Sequence, residues 1–477
     1  MLVKAASQSL AEQLAERFAE RIRSRLLAPG TRLPSVRQCA QQQGVSPSTV
    51  VAAYDQLLAQ GLVEARKNRG FYIRNRDVSP VNKAHITIKT IANKATPAGI
   101  ETLPAPINAG ALIRGMFQGG SEQPQPAMGA FPPDWLGNSF MATALRRVTS
   151  GQQLQAFSLQ YGEPAGDLGL RQSLVQKLSA LSIAATPQQI ITTVGATHAL
   201  DIVSRTLLRA GDSVMVEEPG WAIEFARLDA LGMHILPVPR GPDGPDLAVM
   251  SRYCELHAPK LFVSVSVLHN PTGYCLSPGS AHRLLQLANQ HDFAIVEDDT
   301  YSHIAPEHAT RLCALDGLQR TIYVSGFSKI LAPGWRIGYL AAPAALVERL
   351  QDTKLLATLT TPALLEKALA WCIDQGQLRR HAERIRARLD QARGRSVKLA
   401  LAADCTFVTP PAGLFGWIDT GVDTDALTQR MLDQGYLLAP GALFHASRTP
   451  STLMRINFCT TQDAQFWQVF QKVRAGL

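Results

Sequence analysis

Ser325-Gly-Phe-Ser-Lys-Ile-Leu-Ala-Pro-Gly-Trp-Arg-Ile-Gly338 sets one lysine, Lys329, among small and hydroxylic residues, with Arg336 seven positions later. A lysine that attacks an aldehyde must be partly desolvated and close to another cation, because both lower its pKa and free the amine. Arg336 can meanwhile hold a phosphate through a bidentate fork. Taken alone, Ser-Lys followed by Pro-Gly also suits an ordinary loop with a solvated lysine, so the neighbouring sequence has to decide.

Around this stretch, apolar β-branched runs alternate with helical ones, the pattern of a parallel sheet wrapped by helices. The clearest strands are 189–193, 213–216, 261–265, 294–296 and 322–324. Groups able to bind a ligand follow several of them, where an α/β sheet places its site. Gly195-Ala196-Thr197 is a small-residue turn entering a helix, whose N–H groups and hydroxyl can cradle a phosphate. Trp221 offers a ring for a flat heterocycle to stack on, or a core residue. Asn270, in His269-Asn-Pro-Thr-Gly273, can donate to a phenolic oxygen, and so can Tyr301. Asp298 can keep a pyridine nitrogen protonated. Acids at a strand end also suit a metal, but no His/Cys set accompanies these.

Turn, aromatic, Asn, Asp…Tyr, Ser-Lys and Arg in this order resemble the cofactor site of fold-type I aminotransferases, which bind pyridoxal 5'-phosphate (PLP). The resemblance implies Lys329 as the Schiff-base and catalytic lysine. It also implies a cofactor shell of Asp298, Tyr301, Asn270, Trp221, Ala196, Thr197, Ser328, Arg336 and Tyr161. Tyr161, in Tyr161-Gly-Glu-Pro-Ala-Gly166, corresponds to a tyrosine that reaches the phosphate of the neighbouring subunit, and Arg455, in Met454-Arg-Ile-Asn-Phe458, to the clamp on the substrate α-carboxylate. Two departures stand out: Gly326 replaces the usual Ser or Thr, and Trp221 the commoner tyrosine.

Residues 1–76 hold twelve Lys and Arg against five acids, a surplus of seven within a whole-chain net charge of +9. Such a segment attracts nucleic acid or an acidic membrane surface, unless it is only a solvated helix face. Leu10, Leu14, Phe18, Ile22 and Leu26 predict an amphipathic helix over about 7–27. Ser35 caps a short second helix, and Gly44-Val45 turns into a third, with Ser46 as cap and Pro47 at its first position. Runs 62–65 and 71–73 flank Arg66-Lys-Asn-Arg-Gly70 as a basic hairpin. This is the plan of a winged helix-turn-helix.

Pro29-Gly-Thr-Arg-Leu-Pro-Ser-Val-Arg37, Gly44-Val-Ser-Pro-Ser-Thr-Val50 and Ala53-Tyr54 resemble the GntR family of bacterial regulators. The resemblance implies DNA contacts from Arg37, Ser46, Ser48, Thr49, Arg66, Lys67, Arg69 and Gly70. Pro47 stands where the family usually has arginine.

At 477 residues, with 46% hydrophobic and 18% charged, the chain suggests two or three globular domains. It has no apolar run of membrane-spanning length and no signal-peptide core, so a cytoplasmic location is expected. Seven scattered cysteines, none in a CxxC pair, suggest reduced structural residues. The expected architecture is multidomain: an N-terminal winged helix-turn-helix (1–75), a Pro/Lys/Thr-rich linker (76–106) and an α/β fold-type I PLP-dependent transferase domain (107–477). Together these resemble the MocR subfamily of GntR-type regulators. That implies a PLP-binding transcription factor which binds double-stranded DNA, senses PLP or a small amine or amino acid, and forms a homodimer by head-to-tail exchange. An active aminotransferase with an appended DNA-binding controller is the alternative.

Overall fold

The computed structural model describes residues 8–23, 27, 30–66, 70–74, 125–137, 139–150, 153–306 and 308–477. They fall in two compact units, one within Met1–Gly120 and one within Ser121–Leu477. The expected linker, 76–106, lies outside the described residues.

In the first unit, α1 (Leu10–Arg23), α2 (Val36–Gln43) and α3 (Pro47–Ala59) precede a hairpin of β1 (Val63–Arg66) and β2 (Gly70–Ile73). α1 is shorter than its expected 7–27, whose residues 7 and 24–26 lie outside the described residues. Both expected caps form: Ser35 Oγ accepts from the Gln38 amide at 3.3 Å, and Ser46 Oγ from the Thr49 amide at 3.2 Å. Gly44 closes α2 with φ 65°, a left-handed turn that only a residue without Cβ adopts without strain. Leu14, Phe18, Val50, Tyr54, Leu57 and Ile73 form one buried core. Within it the Tyr54 hydroxyl donates to the Pro34 carbonyl at 2.9 Å.

The second unit is built on seven strands: β3 (Ile190–Thr193), β4 (Ser213–Glu218), β5 (His234–Pro239), β6 (Leu261–Ser264), β7 (Ala294–Asp298), β8 (Thr321–Gly326) and β9 (Gly338–Ala341). They lie in the order β3-β9-β8-β7-β6-β4-β5. Every neighbouring pair is parallel except those of β9, which runs against both β3 and β8. The sheet is therefore mixed, which corrects the expectation of a parallel one. The connection from β8 to β9 is too short for a parallel crossover, which needs a dozen or more residues. β5 and β9 were not among the expected strands. β3, β6, β8 and β9 are buried throughout, as strands covered on both faces require.

A smaller antiparallel sheet follows, of β10 (Thr406–Phe407), β11 (Phe415–Asp419), β12 (Ala439–Pro440) and β13 (Leu453–Asn457), in the order β10-β11-β13-β12. The helices of this unit include α4 (Phe140–Thr149), α5 (Ala196–Leu207), α6 (Ala363–Asp374) and α7 (Gln377–Ala402). None of the described helices is long and apolar enough to cross a membrane.

Candidate cofactor and effector site

The ends of the parallel strands converge on Lys329. Asp298 closes β7, Asn270 follows β6, Trp221 follows β4, and Lys329 itself sits in the loop from β8 to β9. This is the carboxyl edge where α/β sheets bind ligands. Arg455 comes from β13 of the smaller sheet, on the strand face it shares with Asn457 two residues on.

Arg336 and the start of α5 form an anion cradle. Arg336 Nη1 donates to Ser328 Oγ at 2.8 Å, and Nη2 to the Val194 carbonyl at 3.2 Å. Gly195 is the N-cap of α5 and offers no side chain to its first amides. A Cβ on Gly195 would lie 2.5 Å from Arg336 Nη2, so glycine is what lets the guanidinium reach the helix end. Uncapped amides, the helix dipole and the arginine together suit a phosphate. At Gly326, a Cβ would meet the Ala196 amide nitrogen at 3.4 Å and the Ile337 carbonyl oxygen at 3.3 Å. The departure at this position thus lets β8 pack tightly under the cradle.

Burial, followed by the nearby Arg455 cation, lowers the pKa of Lys329 to about 8; Asp298 opposes the shift and Arg336 adds to it. Burial pushes Asp298 up to about 6, against hydrogen bonds from Thr300. Burial also raises Tyr301, which packs edge-on against Phe415 with ring centroids 5.7 Å apart. An amine close to neutral, a carboxyl beside it and an anion cradle are the donor set that PLP requires, and these residues fit that group.

Arg455, only 1% exposed, is enclosed by three rings, with its Cζ 4.2 Å from the centroid of Phe415, 4.9 Å from Trp221 and 5.2 Å from Phe444. Trp221 thus presents its ring to a cation. Arg455 Nη1 donates to Asn270 Oδ1 at 3.0 Å and Nη2 to the Ala127 carbonyl at 2.5 Å, while the buried Nε has no hydrogen-bond partner among the described residues.

Ala127 opens a segment that fills the site. Lys329 Nζ donates to the Gly129 carbonyl at 2.5 Å, and Asn457 Nδ2 to the carbonyls of Met128 and Ala130, both at 2.8 Å. Four consecutive carbonyls are thus held by three side chains. Sequence reasoning missed Asn457, Phe415, Phe444 and this segment. Asn457 had a signal, being on the same face of a strand as Arg455; the rings and carbonyls had none.

Tyr161 is 83% exposed. Among the described residues, no hydrogen bond or ring contact joins it to Lys329, Asp298 or Arg336. In the first unit, Arg37, Ser46, Ser48 and Arg66 are exposed and Thr49 half-buried. Ser46 Oγ lies 2.8 Å from both Ser48 Oγ and Thr49 Oγ1. Arg66 pairs with Glu64 at 2.8 Å and lies over Tyr72, and Gly70 has φ +95°. Lys67 and Arg69 lie outside the described residues.

The aminotransferase class I and II family matches residues 141–473, and the bacterial regulatory proteins of the gntR family match residues 10–73. An uncharacterized HTH-type transcriptional regulator of Bacillus subtilis, YisV, is 26% identical over 92% of this chain and 90% of its own length. The probable rhizopine catabolism regulatory protein MocR of Rhizobium meliloti is 29% identical over 75% of this chain and 70% of its own. Among solved structures, the Thermus thermophilus α-aminoadipate aminotransferase LysN covers 76% of this chain and 94% of its own with a TM-score of 0.70. At 24% identity that likeness establishes the fold. The chain belongs to the class I and II aminotransferase family, whose cofactor is PLP, and its GntR-type helix-turn-helix makes it a MocR-like transcriptional regulator.

Proposed function

We propose that this regulator carries PLP on Lys329 through a Schiff base and responds to PLP, or to PLP with an amino acid or amine, by changing how it binds DNA. The carrying observation is that Lys329 and Arg455 both hold the segment 127–130. When bound, PLP supplies an aldehyde carbon that exchanges one amine for another.

The chain's own residues do the rest. Lys329 Nζ would have to give up the Gly129 carbonyl to hold the cofactor. Asp298 would hold a proton at the cofactor's ring nitrogen, Asn270 and Tyr301 would donate to its phenolic oxygen, and Trp221 would border the ring. Arg336, Ser328, Ala196 and Thr197 hold the phosphate, and the partner subunit contributes Tyr161. Arg455 takes an effector carboxylate on Nε and Nη2, replacing the Ala127 carbonyl. Each ligand therefore removes one restraint from a segment near the start of the body, and coupling requires that kind of differential contact.

On this reading residues 1–75 form the DNA-binding head, 76–106 the linker and 107–477 the body. Arg37, Ser46, Ser48 and Thr49 meet duplex DNA from the helix-turn-helix, and Arg66, Lys67, Arg69 and Gly70 from the wing. The protein works as a cytoplasmic homodimer with exchanged heads. Borohydride reduction of PLP-treated protein, followed by peptide mass spectrometry, tests the attachment. A phosphopyridoxyl group on Lys329 is expected, and modification spread over surface lysines with Lys329 untouched contradicts it.

A further inference from the structure

The cations of α7 are distributed unlike those of the rest of the body. α7 carries eight Lys and Arg against two acids. Outside α7 and residues 1–76, 27 Lys and Arg face 31 acids, obtained by taking 12 and 8 from 47, and 5 and 2 from 38. The chain beyond residue 76 is thus slightly acidic without this helix, and its basic character there resides in α7.

The acids that are present pair with the flanks of the helix. Glu383 binds Arg379, Asp390 binds Arg393, and Asp134 from outside binds Arg388. Arg380, Arg384, Arg395 and Lys398 are exposed, and among the described residues none of them has an ion-pair partner. At 100° per residue these four fall within a 60° sector, away from the face that buries Leu378, Ile385, Leu389 and Ala392. Arg380 and Lys398 are about 27 Å apart along the axis at 1.5 Å per residue. Like charges aligned this way, without ion-pair partners, repel one another. Arg380 Nη2 donates to the Gln375 carbonyl at 2.8 Å, Arg395 Nη2 to Gln462 Oε1 at 2.7 Å, and Arg384 Nη2 lies 3.4 Å from His381 Nδ1, but none of these partners is an anion, and a linear polyanion would neutralise all four charges.

We propose that the stripe Arg380, Arg384, Arg395 and Lys398 is a second, sequence-independent DNA contact, which binds backbone phosphates of duplex flanking the site held by the head. This rests on the DNA-binding reading of the head. Duplex DNA is the occupant because it carries one negative charge per 1.7 Å of axis, dense enough to meet every cation of such a stripe. Head and body are also one chain, so DNA held by the head is at high effective concentration for the body. The stripe adds affinity and on-rate without adding base specificity.

The test uses full-length protein and two duplexes, the region upstream of its own gene and a mixed sequence of equal length. Binding is measured by fluorescence anisotropy over a salt series. One variant changes Arg380, Arg384, Arg395 and Lys398 to Gln. A control changes four exposed cations elsewhere in the body, Arg209, Arg252, Lys260 and Arg283, to Gln. The proposal expects the stripe variant to weaken binding to both duplexes about tenfold at moderate salt, and to lower the log–log salt slope by about 3. The control should lose much less. Equal losses in the two variants would mean general charge and overturn the proposal. An unchanged slope with an altered oligomeric state by light scattering would do so as well, assigning the stripe to a protein contact. An Arg37→Ala head variant separates the two readings: if wild type binds neither duplex, the DNA-binding reading itself fails; if only the head variant loses binding, the stripe alone is refuted.

Discussion

Lys329 and Arg455 hold the same piece of backbone, Nζ at the Gly129 carbonyl and Nη2 at the Ala127 carbonyl. One residue is the expected attachment point of the cofactor and the other of an effector carboxylate, so each ligand competes with its own end of one segment. The Ala127 amide donates to the Leu437 carbonyl at 2.9 Å, which gives the segment a direct reporter. Hydrogen–deuterium exchange over 125–131 should rise modestly with PLP and further with PLP plus an effector amino acid. In Arg455→Ala the second increment should vanish. Exchange that falls, or does not respond, contradicts the arrangement.

Asn457 anchors the same segment from below through two hydrogen bonds to carbonyls. Asn457→Ala removes both and leaves two part-buried acceptors without this donor, for a loss of about 1–2 kcal/mol. Exchange over 125–131 in the ligand-free variant should match that of ligand-bound wild type. Protection equal to ligand-free wild type would show that Asn457 does not restrain the segment.

The Lys329 amine reacts only when neutral. With its pKa lowered to about 8, the neutral fraction at pH 7 is on the order of 10²-fold above that of a solvated lysine. PLP loading should accelerate as pH rises and level off above about 8. Arg455→Ala removes a cation that lowers the Lys329 pKa, so its profile should move to higher pH. Asp298→Asn removes an anion that raises it and should shift the profile the other way. Stopped-flow absorbance over pH 6–10 (about the range spanning both values) measures each curve, and coincident curves would rule out the assigned neighbours.

Asp299, fully buried, accepts from Arg311 Nε at 2.6 Å and from the Tyr323 hydroxyl at 3.0 Å. Asp299→Asn leaves the buried guanidinium without its carboxylate and should destabilise the body by about 3–5 kcal/mol. Urea denaturation followed by circular dichroism reads this, and a loss below about 1 kcal/mol would mean that water or another group takes over the pairing.

In the head, Ser46→Ala removes the N-cap of α3 and Tyr54→Phe the bond to the Pro34 carbonyl, each lowering stability by about 1 kcal/mol. Arg37→Ala, at an exposed position, should leave stability within about 0.5 kcal/mol while weakening DNA binding. Thermal melts and anisotropy on the same samples separate the effects. A stable Arg37→Ala that binds DNA as tightly as wild type would refute the assignment.

The head was legible almost residue by residue, because caps, glycine turns and four-residue spacing are local and its helices are short. The order of Asn270, Asp298, Tyr301, Lys329 and Arg336 was equally legible, since they follow the ends of three successive strands: Asn270 after β6, Asp298 and Tyr301 at the end of β7, Lys329 and Arg336 after β8. The reversal of β9 escaped because strand direction depends on connection length and on a partner, β3, remote in sequence. The ring enclosure of Arg455 escaped for a related reason: Trp221, Phe415 and Phe444 come from distant segments with no common period. The carbonyls of 127–130 carry no side-chain signature at all, so only coordinates reveal them.

The most direct test of the central claim is the affinity of wild type and Lys329→Ala for duplex from upstream of the gene, with and without PLP. The account predicts that PLP changes the wild-type affinity, and that Lys329→Ala binds DNA but ignores PLP. Identical responses of the two proteins to PLP would contradict it.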